Sequence, residues 1–192
     1  MRYTTLCYIE NPAGEYLMLH RVKKENDCNR DKWIGIGGKF EDGESPEECA
    51  LREIREETGL TVTGYRYRGI VTFVSDRWET EYMHLFTADA WTGSVRDDCG
   101  EGVLEWVHKD RLAALPQWAG DRIFLDLLRR DVPFFSLKLR YQGEMLVYAC
   151  LNGRELALWR YWSARACWGC PAGTTGRASA IPWRRSFAAG TG

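Results

Sequence analysis

Gly38-Lys39-Phe40-Glu41-Asp42-Gly43-Glu44-Ser45-Pro46-Glu47-Glu48-Cys49-Ala50-Leu51-Arg52-Glu53-Ile54-Arg55-Glu56-Glu57-Thr58-Gly59-Leu60 surrounds a cluster of acidic residues with a full set of helix start and stop signals. Ser45 suits an N-cap, Pro46 the first helical position and Glu48 the return partner of a capping box, and Gly59 suits a left-handed stop. Together they predict a helix from Pro46 to Thr58 between two loops. At 100° per residue, Leu51, Ile54, Thr58 and the stem of Glu47 share one stripe, which is expected to face a core. Cys49, Glu53, Glu56 and Glu57 share a neighbouring arc of about 100°.

Carboxylates at i, i+3 and i+4 repel one another, at a cost of roughly tenths of a kcal/mol per pair on an exposed helix. Two arrangements answer that repulsion. One is a solvated face on which Arg52 and Arg55 pair with the glutamates. The other is a divalent cation, for which Mg²⁺ is the natural choice because it takes hard oxygen ligands and bridges carboxylates to phosphates.

Outside this segment, period-2 stretches rich in β-branched and aromatic residues predict strands at Tyr3–Ile9, Glu15–Arg21, Tyr65–Ser75, Tyr82–Ala88, Leu104–His108, Phe134–Tyr141 and Glu144–Cys150. Asn11-Pro12-Ala13-Gly14 and Gln142-Gly143 are hairpin-turn sequences between the first two and the last two. A second helix is expected from Asp121 to Arg130, with Ile123, Phe124, Leu127 and Leu128 at helical spacing and Pro133 beyond its end. Strands mixed with two helices, without regular βαβ alternation, argue for an α+β domain or an α/β/α sandwich.

The 192 residues, 45% of them hydrophobic, suffice for one domain and a tail. A net charge of −1 offers no whole-chain attraction to nucleic acid or to an anionic membrane. No stretch approaches the roughly 18 apolar residues of a membrane span, and no secretion leader opens the sequence, so a cytoplasmic location is expected. Seven cysteines at scattered spacing argue against a disulfide framework. From Leu156 onward there is no Asp, Glu or Lys, and five Arg and four of the nine Trp fall among Gly and Ala. That leaves Met1–Glu155 with 21 Lys+Arg against 27 Asp+Glu. We therefore expect a domain over 1–155 and a tail over 156–192 outside its core. Cys167-Trp168-Gly169-Cys170 has C-x-x-C spacing but no second pair to complete a zinc site.

Gly38, Glu44, Arg52-Glu53-Ile54, Glu56-Glu57, Gly59 and Leu60 match G-x5-E-x7-R-E-U-x-E-E-x-G-U at every fixed position, and so the chain resembles the Nudix hydrolases. By average residue usage, chance agreement at one starting point is on the order of 10⁻¹⁰. The resemblance implies an α/β/α sandwich with a mixed β-sheet and a loop-helix-loop catalytic motif. It also implies Mg²⁺, for which Mn²⁺ can substitute, held by Glu53, Glu56 and Glu57, by the Gly38 carbonyl and by a late acid that falls at Glu101. Arg52 would orient a glutamate and Glu44 would support the loop, completing a catalytic set of Glu53, Glu56, Glu57, Arg52 and Glu44. Substitution at phosphorus is the expected reaction, with Glu56, Glu57 and Glu101 all candidates for the base.

Beyond the box, over about 2–151, Thr4-Thr5-Leu6, Lys32-Trp33-Ile34-Gly35-Ile36-Gly37-Gly38-Lys39 and Trp118-Ala119-Gly120-Asp121 resemble the MutT-type hydrolases of oxidised purine nucleoside triphosphates. This implies a small nucleotide substrate such as 8-oxo-dGTP, cut between the α- and β-phosphates, and a role in nucleotide pool sanitation and DNA repair. Trp118 and Asp121 would contact the purine, and Thr5, Arg21 and Lys39 complete the expected substrate-binding set. A monomer or homodimer is expected, with no nucleic-acid or membrane partner. Two positions depart from the pattern: Ile34 stands where the animal enzymes pair an Asn with the purine edge, and Gly120 replaces an acid beside the base. Another nucleoside diphosphate-linked substrate, such as a dinucleoside polyphosphate, a nucleotide sugar or ADP-ribose, is the alternative. An inert nucleotide sensor is the reading from a different class, and it would be expected to have lost box carboxylates.

Overall fold

Leu6, Cys7, Tyr8 and Ile9 are all buried, although successive side chains of a strand point to opposite faces. The first strand must therefore be covered on both sides. Leu6 and Tyr8 join one apolar cluster and Cys7 and Ile9 another, and a helix lies over each. The computed structural model describes residues 1–23 and 27–158; the Arg/Trp-rich segment beyond, with Cys167 and Cys170, lies outside the described residues.

The strands are β1 (Arg2–Glu10), β2 (Glu15–His20), β3 (Trp33–Ile34), β4 (Thr61–Ser75), β5 (Glu81–Thr92), β6 (Val103–His108), β7 (Phe135–Gln142), β8 (Met145–Leu151) and β9 (Arg154–Glu155). The helices are α1 (Pro46–Thr58) and α2 (Asp121–Arg129), and a 3-10 turn spans Lys109–Ala114. One sheet runs β3-β2-β1-β5-β4-β7-β8-β9, with β6 also paired to β2. It is mixed: β1 runs parallel to β5 and β4 to β7, and the other pairs are antiparallel.

Ala50 and Ile54 of α1 pack with Cys7, Ile9, Leu17 and Phe86 on one face of this sheet. Ile123, Phe124, Leu127 and Leu128 of α2 pack with Tyr8, Val71, Leu137 and Leu139 on the other. The expected α/β/α sandwich with a mixed sheet is the observed architecture. All seven predicted strands and both helices are present, and β4 and β5 extend beyond their predicted ends. β3, β9 and the 3-10 turn are additions, each too short to show a period. The buried arc of α1 differs from the predicted stripe. It comprises Cys49, Ala50, Ile54, Glu57 and Thr58, with Leu51 only half-buried. The helix is turned so that its acidic edge docks on backbone at Gly37 and Gly38, which have no side chains to keep it off.

The chain stays packed past Glu155: the Leu156 N–H donates to the Ala149 carbonyl at 2.9 Å, and Leu156 and Leu158 lie against the α2-side core. Among the described residues, five cysteines are free thiols, and no helix is long and apolar enough to cross a membrane.

Candidate active site

Both ends of α1 are fixed by their own residues. Ser45 Oγ accepts the Glu48 N–H at 3.2 Å, and Glu48 Oε2 accepts the Ser45 N–H at 2.8 Å. Gly59 takes φ 78° and donates its N–H to Arg55 O at 3.0 Å. With its ends set, the helix presents Glu53 and Glu57 to the loop that precedes it.

The loop is shaped to receive them. A Cβ on Gly38 would lie 2.3–2.5 Å from the Glu53 carboxylate, so only glycine admits that carboxylate here. The Gly38 carbonyl accepts the Thr5 N–H at 2.8 Å, which ties the loop to β1. The Gly37 N–H donates to Glu57 Oε2 at 3.2 Å. Gly37 is a contact that the expected site did not include, and the signal for it was the doubled glycine ahead of the box.

Arg52 gathers the other acids. Its Nε and Nη2 bind both oxygens of Glu44 at 2.6 and 2.9 Å, Nη1 reaches Glu53 Oε1 at 2.9 Å and Glu56 Oε2 at 3.2 Å, and Nη2 donates to Lys39 O at 3.0 Å. Glu44 also accepts the Glu41 N–H at 2.8 Å. The Arg52 guanidinium holds Glu44 down at about 2. Arg52 thus braces the loop to the helix and orients two glutamates, and Arg55 lines the outer face of α1, where a hollow of about 760 Å³ opens.

Glu57 is 8% exposed. Burial pushes its carboxyl up to about 8, the neighbouring Glu101 and Glu53 charges add to this, and the Gly37 N–H opposes it. Burial also raises Glu53, against the pull of Arg52. Glu101, from the turn before β6, lies within hydrogen-bonding reach of Glu57 and is ion-paired with Arg21. The expected late acid therefore meets one of the helix acids, Glu57. Among the described residues no group of three His, Cys, Asp or Glu side chains converges at metal-binding distance, because Glu53 and Glu56 turn toward Arg52. The donors nonetheless fit a hard cation: all are oxygens, and the buried Glu57 ionises readily only beside added positive charge.

The expected substrate residues fall in several places. Trp118 and Asp121 are buried on the α2 side. Trp118 Nε1 donates to Asn29 Oδ1 at 2.9 Å, Lys32 Nζ stands 4.5 Å over the indole ring, and Phe73 and Tyr141 meet it edge-on. A cavity of about 310 Å³ opens beside it, lined by Asp27, Cys28, Lys32, Trp78 and Glu144 among others. Burial pushes Asp121 up to about 7, opposed by the Trp118 amide and by the charge of Lys32. Lys32 lines this pocket, and Phe73 and Tyr141 pack against Trp118 from behind it; none of the three is assigned a role at the base from sequence, since long-range packing places them there. Thr5 lies on the other face, its hydroxyl 3.6 Å from Cys49 Sγ beneath α1. On the α2 side it is the Thr4 hydroxyl that is presented, donating to Glu81 Oε1 at 2.8 Å. Lys39 is exposed beside Gly38. Arg21 is enclosed by Asp27 and Glu101.

Residues 1–128 match the family model described as NUDIX domain. The chain is 35% identical over 119 residues to the uncharacterized Nudix hydrolase YvcI of Bacillus subtilis, covering 60% of this chain and 75% of that protein. It is 32% identical over 126 residues to an oxidized purine nucleoside triphosphate hydrolase of Danio rerio, covering 65% of this chain and 79% of the relative. A solved structure of a MutT protein from Bacillus halodurans superposes with a TM-score of 0.70 at 27% identity, covering 79% of this chain and 98% of the other.

Proposed function

This chain belongs to the NUDIX domain family, whose hydrolases act on small nucleotides with a divalent ion, and from that premise we propose that it hydrolyses oxidised purine nucleoside triphosphates such as 8-oxo-dGTP. Water adds to one phosphorus of the α–β linkage and the bridging oxygen leaves with the other, giving monophosphate and pyrophosphate. Glu53, Glu56, Glu57, Glu101 and the Gly38 carbonyl would hold a Mg²⁺ ion, which would supply charge neutralisation on the phosphate oxygens. Arg52 and Glu44 keep the carboxylates aimed, and one of Glu56, Glu57 and Glu101 takes the proton of the attacking water.

The observation that carries the substrate reading is Trp118 beside a buried Asp121 whose proton is retained to about pH 7. A protonated carboxyl can donate to a purine edge where a carboxylate can only accept, and this is the distinction that oxidation of the base alters. The resemblance to the Danio rerio hydrolase supports the same reading.

One feature favours a different base or a dinucleotide-linked substrate. A side chain at Gly120 would strike Leu139 Cδ1 at 2.4 Å and the Tyr141 hydroxyl at 2.6 Å, so packing excludes an acid there. Ile34, 9% exposed, offers no hydrogen bond through its side chain either. A Mg²⁺-dependent panel of 8-oxo-dGTP, 2-oxo-dATP, normal dNTPs, ADP-ribose and diadenosine polyphosphates, ranked by kcat/KM, tests both. The proposal expects the oxidised purine triphosphates to lead and to release pyrophosphate. ADP-ribose or a diadenosine polyphosphate in first place would overturn it.

A further inference from the structure

We propose that Arg21 is a positioning residue that holds Glu101 against Glu57, an assignment that rests on the reading of these carboxylates as cation ligands. By sequence Arg21 is expected to touch phosphate or ribose; its surroundings give it different work. The side chain follows the end of β2 and is 12% exposed. Its Nε donates to Asp27 Oδ2 at 2.7 Å, its Nη2 lies 2.5 Å from the same oxygen, and its Nη1 binds Glu101 Oε2. Asp27 is itself 11% exposed and Glu101 25%. A planar guanidinium held on one side by a buried carboxylate has a fixed direction, and that direction is toward Glu101.

The backbone around Glu101 is held to the same strand end. A side chain at Gly102 would meet the His20 carbonyl at 1.9 Å, so the turn hugs β2 as closely as backbone can. Lys23 Nζ donates to the Cys99 carbonyl at 2.6 Å, and the Lys23 N–H to the Glu101 carbonyl at 3.4 Å. These contacts fix the main chain, and the ion pair with Arg21 acts on the Glu101 side chain itself. Two ionised carboxylates brought together repel unless a cation stands beside them or one keeps its proton. Arg21 supplies a cation there, and it approaches Glu101 from the side of Asp27. Asp27 and Arg21 thus form a relay, from an enclosed acid through a guanidinium to the acid at the reaction centre. Outer partners of this kind commonly tune metal affinity by about 10–100-fold.

The deciding measurement is Mn²⁺ binding followed by electron paramagnetic resonance without nucleotide, together with steady-state kinetics on the dNTP giving the highest kcat/KM. Arg21→Gln is expected to weaken Mn²⁺ binding by about tenfold and to lower kcat while KM for the nucleotide moves less than about twofold. Arg21→Lys should recover part of the loss, and Asp27→Asn should shift Mn²⁺ binding in the same direction. Melting in EDTA identifies any variant that fails to fold, in which case Arg21→Lys and Asp27→Asn carry the comparison. Parent-like Mn²⁺ binding in Arg21→Gln, with a raised KM, would make Arg21 a direct phosphate contact and overturn the proposal. Glu57→Gln separates the two levels of inference. If it also leaves Mn²⁺ binding unchanged, the cation reading falls; if only Glu57→Gln loses Mn²⁺, the role of Arg21 falls alone.

Discussion

A methyl group at position 38 would occupy the place of a carboxylate. Gly38→Ala is expected to displace Glu53 by about an ångström and to lower kcat by about 10²-fold, with the far-ultraviolet circular dichroism of the parent, because the clash is with one side chain and not with the sheet. Glu57→Gln removes charge with little change of shape and should cut turnover by orders of magnitude in a folded protein. Asp121 gives a test of stability rather than rate. Its folded value of about 7 lies above the 3.8 of an ordinary Asp, so its contribution is complete below about pH 4 and is lost as pH rises through 7. Asp121→Asn should therefore melt higher than the parent at pH 8, by at most roughly 4 kcal/mol, and the difference should vanish near pH 4. A parent-like melting profile between these values would show that Asp121 ionises freely where it is buried.

At the scale of elements, α1 was legible to the residue because each of its signals is local: the cap, the box, the proline and the glycine act within a turn of where they stand. Ser45→Ala should cost about 1 kcal/mol in chemical denaturation, since one capping hydrogen bond disappears and the Glu48 contact remains. What α1 buries was less legible. The wheel placed Leu51 inward, but the turn of the helix depends on the Gly37-Gly38 loop, a partner outside the helix itself. β3 is set by pairing with β2 and leaves no pattern in two residues. β9 did leave a signal, the Asn152-Gly153 pair, which adopts φ 48° and 79° and closes the last hairpin. The substrate side was the least legible: Trp118 and Asp121 can be singled out from their own segment, but Lys32, Phe73 and Tyr141 reach them from three others.

Over the whole molecule, the family match ends at residue 128, and the hydrophobic layer beneath α2 does not. Phe135, Leu137, Leu139, Tyr141, Leu146 and Ala149 are all buried in that layer. Leu139→Ala should cost about 2–5 kcal/mol, measured by urea unfolding. A chain ending at Leu158 keeps every described contact, and we expect it to retain the melting temperature and kcat/KM of the full chain; a substantial loss of either would assign 159–192 to the working domain. The Tyr141 hydroxyl, on β7, accepts the Gly120 N–H at 2.8 Å, one residue before Asp121 and two after Trp118. The hairpin that follows the family's own segment is thus a jig for the pocket wall. On the proposed reading, grafting residues 1–128 onto another scaffold would carry over Trp118 and Asp121 without the strands that brace them, and a chimera exchanging only the strands after α2 is expected to alter base selectivity while leaving Glu53, Glu56, Glu57 and Glu101 in place.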